Sequence, residues 1–95
     1  MNTIEINNYL TKELLDYEDD IQKITSSNSH LTIHFHPKLD ITIILYYLLK
    51  YNTFSIQQSS KHTLQITLPD TSTKEILDKF VNTVGYVLIW MANKK

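Results

Sequence analysis

Two short stretches, Leu31-x-Ile33-x-Phe35 and Leu64-x-Ile66-x-Leu68, set an apolar residue at every second position with a polar one between. Successive side chains of an extended chain point to opposite faces, so each stretch reads as a strand with one buried and one wet face. A serine-rich turn precedes each, at Ser26-Ser27-Asn28-Ser29 and at Ser59-Ser60-Lys61, and a further β-prone segment precedes each turn, at residues 21–25 and 53–57. Two hairpins are therefore expected, with second strands over residues 31–35 and 63–68, ended by Pro37 and Pro69.

The remaining segments change period. Leu10, Leu14, Tyr17 and Ile21 follow one another by three or four, which predicts a first helix over residues 7–20. The run after Asp40, from Ile41 to Tyr51, is too long and too evenly apolar for a half-wet strand, and Asp40 is an N-cap residue, so it reads as a second helix. Asp70-Thr71-Ser72 supplies caps for a third, which continues through Ile76, Leu77, Phe80, Val81 and Val84. Gly85 could end that helix and leave residues 86–91 as a fifth strand; Leu88 and Met91 extend the same apolar stripe, which favours an unbroken helix.

The fold class expected over residues 1–95 is one α+β domain in the order α-ββ-α-ββ-α, a four-stranded antiparallel sheet with helices on one face. The halves resemble each other, Ile24, His30, Leu31 and Ile33 corresponding to Ile56, His62, Leu64 and Ile66, which suggests a pseudo-repeat. This order of elements occurs in proteins of unrelated activity and carries no function.

Composition removes several kinds of chemistry. There is no cysteine, hence no disulfide, thiolate nucleophile or thiolate metal site, and an intracellular, cytoplasmic setting fits. A single glycine cannot supply a phosphate-cradling loop, a dinucleotide fingerprint or a nucleophile elbow. Nine basic and ten acidic residues leave a formal charge of −1, and every basic residue is lysine, so the guanidinium fork that reads phosphates and guanines is missing and nucleic acid is not the expected partner. The N-terminal residues lack the charged and apolar regions of a secretory signal, and the longest apolar run, residues 84–92, is too short to cross a bilayer, so no membrane association is expected. The Ile, Asn and Tyr-rich, arginine-free usage suits an AT-rich genome such as that of a mobile element.

Two polar clusters invite a chemical reading. His30, His34 and His36 fall on the wet face of one strand, where two imidazoles could share a zinc ion with His62 or a carboxylate, the basis for a small metal-dependent enzyme. Wet strand faces also collect His and Thr because both tolerate water, and no second catalytic group accompanies the histidines, so neither metal nor cofactor nor enzymatic activity is expected. Glu13, Asp16, Glu18, Asp19 and Asp20 crowd the end of the first helix, with Asp16 and Asp20 on one face. Carboxylates there oppose the helix dipole, which points either to an early stop or to a surface that attracts a basic partner.

The stronger signal is surplus apolar surface. If Ile41, Ile44, Leu45 and Leu48 pack on the sheet, Ile43, Tyr46 and Tyr47 lie on the other side of the second helix, around Lys50. With Leu77, Phe80, Val84, Leu88 and Met91 as the core stripe of the third helix, Tyr86, Ile89 and Trp90 lie opposite. Tyr and Trp are enriched at binding hot spots. Ile43, Tyr46, Tyr47, Tyr86, Ile89 and Trp90 are therefore the expected centre of a protein interface, in a non-enzymatic interaction module that binds a protein partner, expected to be a homodimer, and that suits an inhibitor, immunity or accessory protein. The alternative is a nucleic-acid-binding module using the polar sheet face, with Thr32, His34, His36, Thr53, Ser55, Gln57, Gln65 and Thr67.

Overall fold

The computed structural model describes residues 3–27, 30–52, 55–67 and 74–93. Helix α1 (Thr3–Leu14) runs into a 3-10 turn (Leu15–Tyr17), followed by β1 (Ile21–Ser27), β2 (His30–Phe35), α2 (Ile41–Tyr51), β3 (Ser55–Ser60), β4 (Thr63–Thr67) and α3 (Lys74–Asn93). The order is α-ββ-α-ββ-α, with the four strands in one antiparallel sheet arranged β1-β2-β4-β3.

The apolar alternation sets the sheet's two faces. Leu31, Ile33 and Phe35 of β2 and Leu64 and Ile66 of β4 are buried beneath the helices, while the residues between them face outward. On the helical side the core is completed by Ile6, Leu10 and Leu14 of α1, Ile41, Ile44 and Leu48 of α2, and Leu77, Phe80, Val81, Val84, Val87 and Leu88 of α3. These sit at helical spacings, so each helix turns one stripe to the sheet. α3 packs against both α1 and α2.

The central pair β2·β4 has a pseudo-twofold register. Leu31 lies opposite Ile66, Ile33 opposite Leu64, and Thr32 opposite Gln65, its own counterpart in the repeat. The outer pairs obey the same relation: Ile24 faces Ile33 and Ile56 faces Ile66. One correspondence needs correcting. A register shift between Gln58 and Ser60 inserts an extra residue in β3, so Thr63, opposite Ser60, occupies the place that His30 holds opposite Ser27. His62 lies in the turn before it.

Several boundaries also move. α1 begins at Thr3 and its α-helical part ends at Leu14, not at Asp20. The chain instead tightens through the 3-10 turn, and the Asp20 amide donates to the Tyr17 carbonyl at 2.9 Å. Glu18 is the residue that caps this turn, and Asp19 and Asp20 follow it, so the carboxylates gather at the point where the helical run stops. β3 runs to Ser60, and the turn falls at Lys61-His62 rather than Ser59-Ser60-Lys61. Thr53, Leu68 and the capping run Asp70-Thr71-Ser72 lie outside the described residues. Helix α3 passes unbroken through Gly85, so residues 86–91 are helix and not a fifth strand.

Candidate protein interface

The α2 segment is fixed at both ends. The Asp40 side chain accepts from the Thr42 amide at 3.1 Å and from the Thr42 hydroxyl, and the Asn52 amide returns to the Leu48 carbonyl at 3.0 Å. The Thr42 hydroxyl, followed by its amide, holds the Asp40 carboxyl below its ordinary range. With the ends set, Ile41, Ile44 and Leu48 face the core, and Tyr46, Leu49 and Lys50 turn outward.

Aromatic rings run across α2 and on to α3. Tyr46 meets Tyr47 edge to face with centroids 5.2 Å apart, Tyr47 stacks on Tyr51 at 6.3 Å, and Tyr47 meets the edge of Trp90 on α3 at 6.3 Å. These are favourable aromatic geometries. On α3, Tyr86 stands one turn before Trp90, with Ile89 on its outer side. The Lys50 ammonium lies 5.9 Å from the Tyr46 centroid and 5.5 Å from that of Tyr51, within cation–π range of both.

The rings are not hidden by the fold. Tyr46 is 59% exposed, Tyr86 73%, Ile89 58% and Trp90 37%, and Tyr51 and Leu49 are also about half open. Ile43 and Tyr47 differ: both are half-buried and packed against the core, so they support the band from beneath. Between Tyr47, Tyr51 and Tyr86 lies an open groove of about 690 Å³, floored by Asn82 and Thr83 and bordered by Glu75, Asp78 and Lys79. Tyr51 belongs to this surface without having been singled out from sequence. Tyr51 is four residues from Tyr47, a spacing that marks a shared helix face.

The polar clusters assemble differently. On the open sheet face Lys23 lies opposite His34, which lies opposite Thr63; Thr25, Thr32, Gln65 and Gln57 form the next row. His30 shares a hydrogen bond with Thr67 at 3.1 Å, and Gln57 donates to Gln65 at 3.2 Å. His36 lies beyond the strand, in a turn where its Nδ1 accepts from the Lys38 amide. The buried Nδ1 of His62 has no hydrogen-bond partner among the described residues. No group of three His, Asp or Glu side chains that could hold a metal forms among the described residues. Ser55, Thr67 and the rows above place most of the expected nucleic-acid face together, but it carries one lysine, Lys23, and no Phe, Tyr or Trp among the described residues. Of the acidic run, Asp20 pairs with Lys38 at 3.8 Å, and Asp16, Glu18 and Asp19 are exposed. No helix among the described residues is long and apolar enough to cross a membrane.

These features define a small α+β protein with one helical layer on one sheet and an open aromatic band on that layer. No family model matches the chain, and no curated protein matches it in sequence. In structure it is similar to the ornithine δ-aminotransferase of Plasmodium falciparum, with a TM-score of 0.72 at 20% identity over 88% of this chain. It is also similar to the ornithine aminotransferase of Plasmodium yoelii, with a TM-score of 0.70 at 23% identity over 86% of this chain. The match spans 22% of the length of each of those proteins. Identity this low shows a shared fold alone.

Proposed function

We propose that this chain is a non-enzymatic interaction module that acts by binding a protein through the aromatic band of α2 and α3. The observation that carries the reading is the exposure of Tyr46, Tyr86, Ile89 and Trp90 on two adjoining helices that the ring of Tyr47 joins, meeting Tyr46 on one side and Trp90 on the other. Scattered surface apolar residues are ordinary, whereas a continuous patch of this kind is uncommon on a soluble monomer. Tyr and Trp contribute large contact area with little side-chain entropy to lose, which makes them frequent hot spots. Ile43 and Tyr47, half-buried beneath the band, hold it in a fixed shape before binding.

Asp16, Glu18 and Asp19 give the same molecule an exposed acidic corner that would speed encounter with a basic partner without supplying much affinity. An inhibitor, immunity or accessory protein matches this design. A photo-crosslinking residue at position 86, expressed in the native cell, tests it. Discrete adducts from position 86 and none from position 57 on the open sheet support the reading; adducts from 57 alone overturn it.

A further inference from the structure

We infer that the partner seated on the aromatic band is a second copy of this chain, docked about a twofold axis so that α2 and α3 of both copies pack face to face. The inference rests on the interaction-module reading and adds the partner's identity.

The first support is self-complementary shape. A twofold interface uses one patch twice, so the patch must carry both what projects and what receives. Here the exposed side chains Ile89 and Trp90 follow, on α3, the groove lined by Tyr47, Tyr51, Thr83 and Tyr86. The second is charge. Glu75 and Asp78 border the groove together with Lys79, and Lys50 lies over the adjoining rings, so the patch carries two charges of each sign. Two such patches meet without net repulsion and can place the lysines of one copy against the carboxylates of the other.

The third support is area. With aromatic side chains of about 150–250 Å² each, the open portions of Tyr46, Tyr51, Tyr86 and Trp90 amount to roughly 400 Å² before Ile89 is added. A standard interface takes about 800 Å² from each partner, with an apolar centre and a polar rim, and the charged residues around the groove provide that rim. The sheet edges offer no competing route of comparable quality. β1 has a register shift between Ile21 and Lys23 and β3 another between Gln58 and Ser60, and such bulges obstruct edge-to-edge pairing.

Sedimentation of the full chain from about 1 to about 500 µM tests the inference. The expected result is a mass that rises with concentration to twice the 11.2 kDa of one chain. Tyr86→Glu and Ile89→Lys, both at highly exposed positions, are expected to weaken association by at least about 100-fold while leaving the melting temperature of the dilute monomer unchanged. Gln57→Glu on the open sheet is expected to leave association unchanged. A chain that stays monomeric throughout the range, or a dimer abolished by Gln57→Glu and untouched by Tyr86→Glu, overturns self-docking. The crosslink at position 86 separates that failure from failure of the module reading: an adduct to a different protein retains the module, and no adduct removes both.

Discussion

The Tyr17 hydroxyl sits against Gly85, in the space that a β-carbon on α3 would need, with the ring's Cζ 2.8 Å from that position. The only glycine of the chain therefore serves close packing between the end of α1 and the middle of α3, not a turn. Glycine inside a helix costs about 1 kcal/mol relative to alanine, which the Tyr17 contact offsets. In a Tyr17→Ala background, Gly85→Ala should therefore stabilise the protein by about 1 kcal/mol, whereas with Tyr17 present most of that gain is lost to displacement of the ring. A urea double-mutant cycle measures the coupling, and additive effects would show the two residues to be independent.

A second tie joins the same helices. The Tyr9 hydroxyl of α1 donates to the Asp78 carboxylate of α3, and both residues are half-buried. A hydrogen bond to a charged group is worth about 1.5–3 kcal/mol where it is sheltered, and partial exposure places this one near the lower end. Tyr9→Phe keeps the ring and removes the donor, so urea unfolding should show a loss of about 1–2 kcal/mol with an unchanged m-value.

The contrast between these ties and the strands shows where sequence is informative. Leu31, Ile33, Phe35, Leu64 and Ile66 announce their faces because a period of two is local, and the stripe through Leu88 and Met91 carries α3 past Gly85 for the same reason. The outward position of Tyr46, Tyr86, Ile89 and Trp90 follows from the helical wheel alone. What the wheel lacks is the neighbouring helix: Ile43 and Tyr47 become half-buried at the flank of α2, and the ring of Tyr47 meets Trp90. The Tyr17–Gly85 contact links residues far apart in the chain, and the stop of α1 at Leu14 falls within a run of carboxylates that the apolar spacing carries straight through. Neither leaves a periodic trace.

Asp40 should make part of the stability depend on acid. Its carboxyl is held below the ordinary range by the Thr42 hydroxyl and amide, so the folded state favours the ionised form. A depressed folded value means that the contribution is complete above the unfolded-state value and is lost as pH falls through the folded one. Asp40→Ala should lower the melting temperature by a few degrees at neutral pH, and the difference from wild type should shrink below about pH 4. Asp40→Asn keeps the cap without the charge, so its melting temperature should stay near that of wild type at neutral pH and lack this acid dependence. Calorimetry across that range decides it.

Ser59 is the residue by which β3 departs from the symmetry of β1. It sits between Gln58, opposite Leu64, and Ser60, opposite Thr63, and has no partner in the register; its hydroxyl reaches the Thr63 carbonyl only at 3.4 Å. Deleting it should close the bulge and leave Ile56 opposite Ile66, because every pair before it keeps its place. Deleting Gln65 from β4 instead moves either Leu64 or Ile66 off the core face, since β4 pairs with β2 without an extra residue and a one-residue slip turns a strand over. The Ser59 deletion should therefore fold with a melting temperature within several degrees of wild type, while the Gln65 deletion should lose cooperative unfolding. A Ser59 deletion that unfolds as readily as the Gln65 deletion would show that the extra residue is needed to hold β3 in register, and the bulge would then be part of the edge's pairing and not an insertion in it.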